Sequence, residues 1–172
     1  VTGYTTSSNF PNVPGGYDNI KNSPVKSVFV SKFDQNLTYL AFTTFLEGST
    51  ADILNDSYGC EVRVDSSDNI VVASVTYSST FPVTDLAYDR DLSGARDVVI
   101  TKLNSIGNQL LFSTYLGGSN QEVFTDTFLY TSNPIALGSD DSIYIAMNTD
   151  STDFPLTSGS YSHSGPNAGG WS

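Results

Sequence analysis

Short apolar runs alternate with polar turns along the whole chain. Each run is four to eight residues long and rich in Val, Ile, Phe, Tyr and Thr, and Gly, Asp, Asn or Ser bounds it at both ends. These features are typical of β-strands. No long stretch has the 3.6-residue apolar period of a helix. The pattern therefore predicts an all-β protein without helices.

The runs recur in a fixed order around one short phrase. A Ser/Thr-rich segment that ends in Phe-Pro occurs at 7–11, 78–82 and 151–155, so the copies are spaced by 71 and then 73 residues. A tyrosine follows each copy at a matching distance. A fixed period of this kind is the mark of a repeat architecture.

Each repeat contains four strands, which in the only complete copy are predicted at 60–65, 69–76, 98–104 and 109–116. The joints between paired strands are short, and Asp68 or Gly107 can adopt the left-handed conformation that such turns need. The long connection 77–97 contains Phe81-Pro82, and proline cannot donate to a strand ladder, so no central strand is expected there. Four antiparallel strands per repeat describe a β-propeller blade. A β-sandwich is the competing architecture, but the internal duplication favours the propeller.

The repeat divides the chain into three parts. Residues 1–59 hold a partial blade with its last three strands and a variable loop, 60–132 hold a complete blade and a second variable loop, and 133–172 hold a truncated blade. Both outer blades are incomplete, so we expect the chain to be a piece of a longer polypeptide. The expected partners are other repeats of that polypeptide, with neighbouring subunits as the alternative.

Several short sequence motifs of the repeat resemble those of a known family. Val64 through Asn69, Phe81-Pro82, Thr101 through Asn104 and Tyr115 through Ser119 stand in the order that the bacterial SBBP family of seven-bladed β-propeller repeats uses. The chain resembles this family over about two and a third repeats. The resemblance implies a propeller fold and a secreted or cell-surface protein, but no single activity. Asp68, Asp141 and Glu47 depart from the family pattern, which has glycine at these positions.

Charge and composition exclude several classes of function. Seven basic residues stand against eighteen acidic ones, which gives a formal net charge of −11. Binding to nucleic acid or to an anionic membrane needs clustered cations, so neither is expected. The apolar runs are too short to span a bilayer, so no membrane insertion is expected. Cys60 and His163 are the only residues of their types, so no catalytic triad is apparent and the chain is predicted not to be an enzyme.

Fifteen of the eighteen acidic residues are aspartates, and some cluster in turns. Ca²⁺ takes six to eight oxygen ligands from carboxylates, amides and carbonyls. Two turns are therefore candidate Ca²⁺ sites, and the alternative is that their acids only form turns. The candidate ligands are Asp65, Asp68 and Asn69 in one turn, with Asp140 and Asp141 in the other.

Aromatic residues fall into two groups. Tyr58, Tyr77 and Tyr130 lie in or near loops and are candidate ligand-binding residues, because exposed rings stack on sugars. The residues of the repeated phrase are instead predicted to pack between adjacent blades, since a residue present in every blade usually serves the blade. These residues are Phe10, Phe81 and Phe154, together with Tyr17, Tyr88 and Tyr161.

The sequence favours a non-enzymatic structural or adhesive repeat module of a secreted or cell-surface bacterial protein. Its expected contacts are surface glycans or proteins. One alternative is a carbohydrate-binding or other ligand-binding propeller. Another is a fragment of a propeller hydrolase or lyase with active residues outside this chain.

Overall fold

The computed structural model describes residues 1–49, 57–124 and 134–161, apart from the side chain of Cys60. Within these ranges the protein is all-β, with antiparallel sheets and no helix, as the apolar pattern predicts. No described segment is a helix capable of spanning a membrane.

Two larger sheets form the body of the described chain. The first sheet has the order β1-β2-β3, and the second has the order β4-β5-β6-β7. Their strands are β1 (Thr2–Thr5), β2 (Ser27–Phe33), β3 (Leu40–Leu46), β4 (Ser57–Val64), β5 (Ile70–Thr76), β6 (Asp97–Leu103) and β7 (Leu110–Leu116). The four strands predicted for the complete repeat are therefore confirmed, with β4 and β6 beginning earlier than expected.

Two short strand pairs follow the second sheet. The strands β8 (Glu122–Val123) and β11 (Asn148–Thr149) form one pair, and β9 (Ile135–Leu137) and β10 (Ile143–Ile145) form the other. Both pairs are antiparallel. We refer to these four strands together as the third unit.

The first two sheets repeat one another in register. Val28 pairs with Leu46 in the first sheet, and Val98 pairs with Leu116 in the second. Both ladders shift register at the same step, which lies between Lys32 and Phe33 in β2 and between Lys102 and Leu103 in β6. The sequence repeat is therefore a structural repeat, and comparing the two sheets position by position is justified.

The hairpin turns use the left-handed backbone that the sequence predicts. Asp68 has φ 62° and Gly107 has φ 70°. Leu37 and Asp141 take the same conformation in the equivalent hairpins, with φ 57° and 63°. In each turn the backbone N–H of the left-handed residue donates to the carbonyl three residues earlier. Asp68 and Asp141 therefore stand where the backbone geometry favours glycine.

Two apolar clusters fill the spaces between the units. The first joins Val28, Val30, Phe42 and Leu46 of the first sheet to residues such as Val99 of the second. The second cluster joins the opposite face of the second sheet, including Val71 and Ile100, to Ile135 and neighbouring residues of the third unit. The units are therefore stacked face to face, with the second sheet in the middle.

Candidate functional site

Phe81 lies in the cluster between the first and second sheets. Its side chain is 3% exposed, and its backbone N–H donates to Tyr115 Oη over 3.1 Å. The same hydroxyl donates to the carbonyl of Ser78 over 2.7 Å. The buried tyrosine thus fixes the Phe-Pro connection against β7, and Phe81 has the inter-sheet position that the sequence predicts for it.

Phe10 has the equivalent position on the first sheet, where no described unit covers it. Its ring packs on Phe29 at a centroid distance of 4.5 Å and on Phe45 at 6.2 Å. Phe154, in the third unit, is half-buried. Phe10 therefore packs on the outer face of the first sheet, and Phe81 packs on the equivalent face of the second sheet, inside the joint.

The three tyrosines of the repeated phrase have a different environment from the phenylalanines. Tyr88 is 70% exposed and Tyr161 is fully exposed, so neither ring is buried between the described units. Tyr17 is partly exposed, and its backbone N–H donates to the carbonyl of Gly107 over 2.8 Å. All three rings are therefore at the surface and are not buried in a joint.

Tyr58 and Tyr77, two of the predicted ligand-binding residues, lie in one row of rings. Tyr4 contacts Tyr58 edge-to-face at a centroid distance of 5.3 Å, and Tyr58 lies 6.4 Å from Tyr77. Tyr4 belongs to the first sheet and the other two rings to the second, so the row crosses the joint. Tyr130 lies outside the described residues.

Two cations border this tyrosine row. Lys26 Nζ lies 4.5 Å from the centroid of Tyr58 and donates to Tyr58 Oη over 2.7 Å. Arg96 lies 5.6 Å from the centroid of Tyr77 and donates to Tyr77 Oη over 2.8 Å. Lys26 and Arg96 are equivalent positions of the repeat. Lys26 directly precedes β2 of the first sheet, and Arg96 directly precedes β6 of the second. The row therefore combines flat apolar faces with positive charge in an acidic protein.

Asp65, the central residue of the first candidate Ca²⁺ turn, is surrounded by hydrogen-bond donors. Its Oδ1 accepts the backbone N–H groups of Ser67 and Asn69, and its Oδ2 accepts Asn69 Nδ2. Lys102 Nζ lies 2.6 Å from Oδ2. Burial acts to raise the pKa of Asp65, but Lys102 and these hydrogen bonds outweigh it and hold the pKa far below its usual range.

The second candidate turn lies directly beside the first. Asp141 accepts the backbone N–H of Ser66 over 2.9 Å and the hydroxyl of Ser66 over 2.5 Å. Asp140 accepts the backbone N–H of Ser142 within its own turn. The two turns are therefore joined across the second sheet and the third unit.

The carboxylate of Asp65 is engaged by other partners and is not free to bind a Ca²⁺ ion in this arrangement. Donors occupy both oxygens of Asp65, and the ammonium group of Lys102 would have to leave before a cation could bind. In the described part of the chain, no three His, Cys, Asp or Glu side chains form a group that could hold a metal. Turn formation explains Asp68 and Asp141 through their backbone conformation, and Ca²⁺ binding at the two turns stays a prediction.

A cleft at the joint between the second sheet and the third unit was not predicted. It has a volume of about 590 Å³, and its lining includes Tyr88, Asp89, Ser93, Gly117 and Asp153. Next to Gly117 lie two carboxyl groups, Asp97 and Glu122, which are completely buried. A buried pair of acids beside a polar cleft is the strongest concentration of unusual chemistry in the described structure.

The first sheet also has a buried acid at the related place. Glu47 Oε1 accepts the backbone N–H of Ser23 over 3.0 Å, whereas Asp97 Oδ2 accepts that of Ser93, the equivalent residue, over 2.8 Å. Glu47 corresponds to Gly117, and Asp97 corresponds to Ser27. This is an exchange of positions: the acid that accepts the equivalent N–H is Glu47 in the first sheet and Asp97 in the second.

This exchange is the sequence signal that could have revealed the site. Glu47 replaces a glycine of the repeat, and only three glutamates occur in the chain. All three, Glu47, Glu61 and Glu122, are buried. The repeat singles out Glu47 in this way, but it does not indicate that Glu122 lies beside Asp97.

Protein-family models, curated proteins and solved structures gave no match to this chain.

Proposed function

We propose that this chain is a non-enzymatic structural and adhesive module of a secreted or cell-surface bacterial protein. Its units are blades of the propeller type, as the SBBP-like repeat implies. They stack face to face, and the outer faces of the stack bind further units of the same kind. The observation that carries the proposal is the apolar cluster that Phe81 completes between the first and second sheets.

The repeat identifies the partner surface. The face of the second sheet that packs on the first sheet includes Val99, Leu103 and Phe81. The equivalent residues on the outer face of the first sheet are Phe29, Phe33 and Phe10, which are also apolar. Phe33 is 41% exposed there. Burial of such rings contributes ~1.5–3 kcal/mol each, so this face favours contact with another blade.

Sedimentation velocity tests this proposal, with a second copy of the chain as the partner. The wild-type chain is expected to associate as its concentration rises, and Phe33→Lys is expected to weaken the association at least tenfold. Leu86→Lys is the matched control, because Leu86 is 92% exposed in the connection and lies outside the apolar cluster. A monomer at every concentration, or equal association of all three proteins, would contradict the proposal.

A second candidate function is binding of acidic carbohydrate, and the tyrosine row favours it. Rings such as Tyr77 can stack on the apolar face of a sugar, and Arg96 can pair with a sugar carboxylate. Tyr4, at the end of the row, is 45% exposed. The row therefore offers both the flat surface and the charge that a uronic-acid glycan requires.

A glycan array that includes uronic-acid oligosaccharides tests this candidate. Binding of the wild-type chain is expected to fall about tenfold or more in Tyr77→Ala, which corresponds to the loss of about 1.4 kcal/mol. Tyr144→Ala is the control, because Tyr144 is 61% exposed in the third unit, away from the row. Absence of binding, or equal loss in both variants, would exclude carbohydrate recognition by the row.

A further inference from the structure

Asp97 and Glu122 are two buried carboxyl groups, and no described Lys or Arg forms an ion pair with either of them. Both residues are 0% exposed. Asp97 Oδ2 accepts the backbone N–H of Ser93, and Glu122 Oε1 accepts the hydroxyls of Thr149 and Ser151 over 2.7 and 2.5 Å. The remaining oxygens, Asp97 Oδ1 and Glu122 Oε2, have no hydrogen-bond partner among the described residues.

The two unpartnered oxygens face the same small space. A Cβ atom on Gly117 would stand 2.3 Å from Asp97 Oδ1 and 2.8 Å from Glu122 Oε2. Glycine is therefore required here, because any side chain would collide with both carboxyl groups. Asp97 begins β6 and Glu122 begins β8, so the two acids meet where the second sheet joins the third unit.

Among the described residues, no positive charge neutralises the pair. The groups that act on the Asp97 carboxyl are the Ser93 N–H, Glu122 and Asp89, of which the last two are acidic. The guanidinium of neighbouring Arg96 is directed to Tyr77. Two ionised carboxylates in such a place would repel one another and lose their hydration, so the state with both groups charged is disfavoured. One proton held between them removes both penalties.

We propose that Asp97 and Glu122 share a single proton between Asp97 Oδ1 and Glu122 Oε2, and that this proton locks the second sheet to the third unit. Loss of the proton leaves two buried negative charges at the joint. The joint then loosens, and the adjoining cleft, lined by Gly117 and Gly118, opens to solvent.

The pH range follows from the shift of Asp97. The pKa of Asp97 is raised to about 7, mainly because the carboxyl group is buried. The hydrogen bond from the Ser93 N–H opposes this rise, and the charges of Glu122 and Asp89 add to it. The folded state therefore binds more protons than the unfolded state between the ordinary value of 3.8 and about 7. Stability is complete below this range and falls as the pH rises through it.

Thermal unfolding between pH 4.5 and 8.5 tests the proposal. The melting temperature of the wild-type chain is expected to fall by roughly 5–10 °C relative to Asp97→Asn as the pH rises. The amide of the variant donates to Glu122 without titrating. Comparison with this variant also cancels the titration of His163, which is present in both proteins. Glu122→Gln should likewise remove the fall.

Glu47→Gln is the matched control, because Glu47 is a buried acid at the related place in the first sheet and is not part of the proposed pair. It is expected to retain the wild-type fall. Carboxyl ¹³C NMR gives an independent readout, in which Asp97 should titrate near pH 7. The proposal would be overturned if the melting temperatures of the wild-type chain and Asp97→Asn changed equally with pH, or if Asp97 titrated near pH 4. Stabilisation of the wild-type chain by CaCl₂ at pH 8, absent in Asp97→Asn, would also overturn it, since the pair would then hold a cation.

Discussion

Single residues of the hairpin turns show how backbone conformation decides residue type. Leu37, Asp68, Gly107 and Asp141 occupy the same left-handed position in four turns. Only one of them is glycine, although glycine takes this conformation without steric cost. The other three turns therefore carry strain that their hydrogen bonds offset.

Leu37→Gly is expected to stabilise the protein, which is unusual for a substitution to glycine. Leu37 has φ 57° and its side chain is 77% exposed, so the change relieves backbone strain and removes little packing. The expected gain is ~0.5–1 kcal/mol in the free energy of unfolding, measured by urea denaturation. Leu37→Ala keeps the Cβ and should show no gain. A loss of stability in Leu37→Gly would contradict the assigned turn.

Asp65 and Asp34 have similar turns but different charge environments. Asn104 Oδ1 accepts two backbone N–H groups in the second sheet, as Asp34 Oδ1 does in the first, so Asp34→Asn keeps these bonds and should cost less stability at pH 7 than Asp65→Asn. Asp65→Asn loses the charge that pairs with Lys102 and should cost about 1–3 kcal/mol in urea denaturation. Equal effects of the two changes would show that the ion pair contributes nothing.

The lowered pKa of Asp65 also predicts an acid-side effect. The folded state binds fewer protons than the unfolded state here, so the stability from this group is present above the ordinary pKa of 3.8 and is lost as the pH falls below it. As the pH is lowered from 5 to 2, the melting temperature should therefore fall more steeply for the wild-type chain than for Asp65→Asn. Equal slopes would contradict this assignment.

At the scale of elements, the sequence predicted strands well where the repeat could be compared with itself. The strands β4 to β7 and the two hairpin turns follow from apolar runs between turn residues, and the absence of helices in the described structure agrees with that pattern. The third unit was harder, because its strands are only two or three residues long. Strand length there depends on contacts with other elements rather than on the local sequence.

The β6–β7 hairpin provides a test of contact between elements. A Cβ on Gly107 would lie 2.2 Å from the ring of Phe42 in the first sheet, so Gly107→Ala forces the sheets apart as well as straining the turn. We expect it to cost ~1–3 kcal/mol more than Gly159→Ala, by thermal denaturation. Gly159 also has positive φ, but nothing lies within 4 Å of its Cβ position. Equal costs would place the hairpin away from the first sheet.

At the scale of the whole molecule, the repeat predicts which residues are equivalent but not how their charges meet. Phe81 was predicted between blades from its recurrence alone. Asp97 and Glu122 were missed because they are far apart in sequence and belong to different units. Their proximity depends on the joint between those units, and on the space that Gly117 leaves open.

The central claim is that the sheets form one stack through shared apolar clusters. Amide hydrogen exchange on the wild-type chain and Phe81→Ala tests it most directly. Phe81 belongs to the connection after β5, yet its ring packs in the cluster shared with β2 and β3. Truncation should therefore increase exchange in Val28 and Val30 of the first sheet as well as in Val99 and Leu103 of the second. Faster exchange confined to the second sheet would contradict the stack.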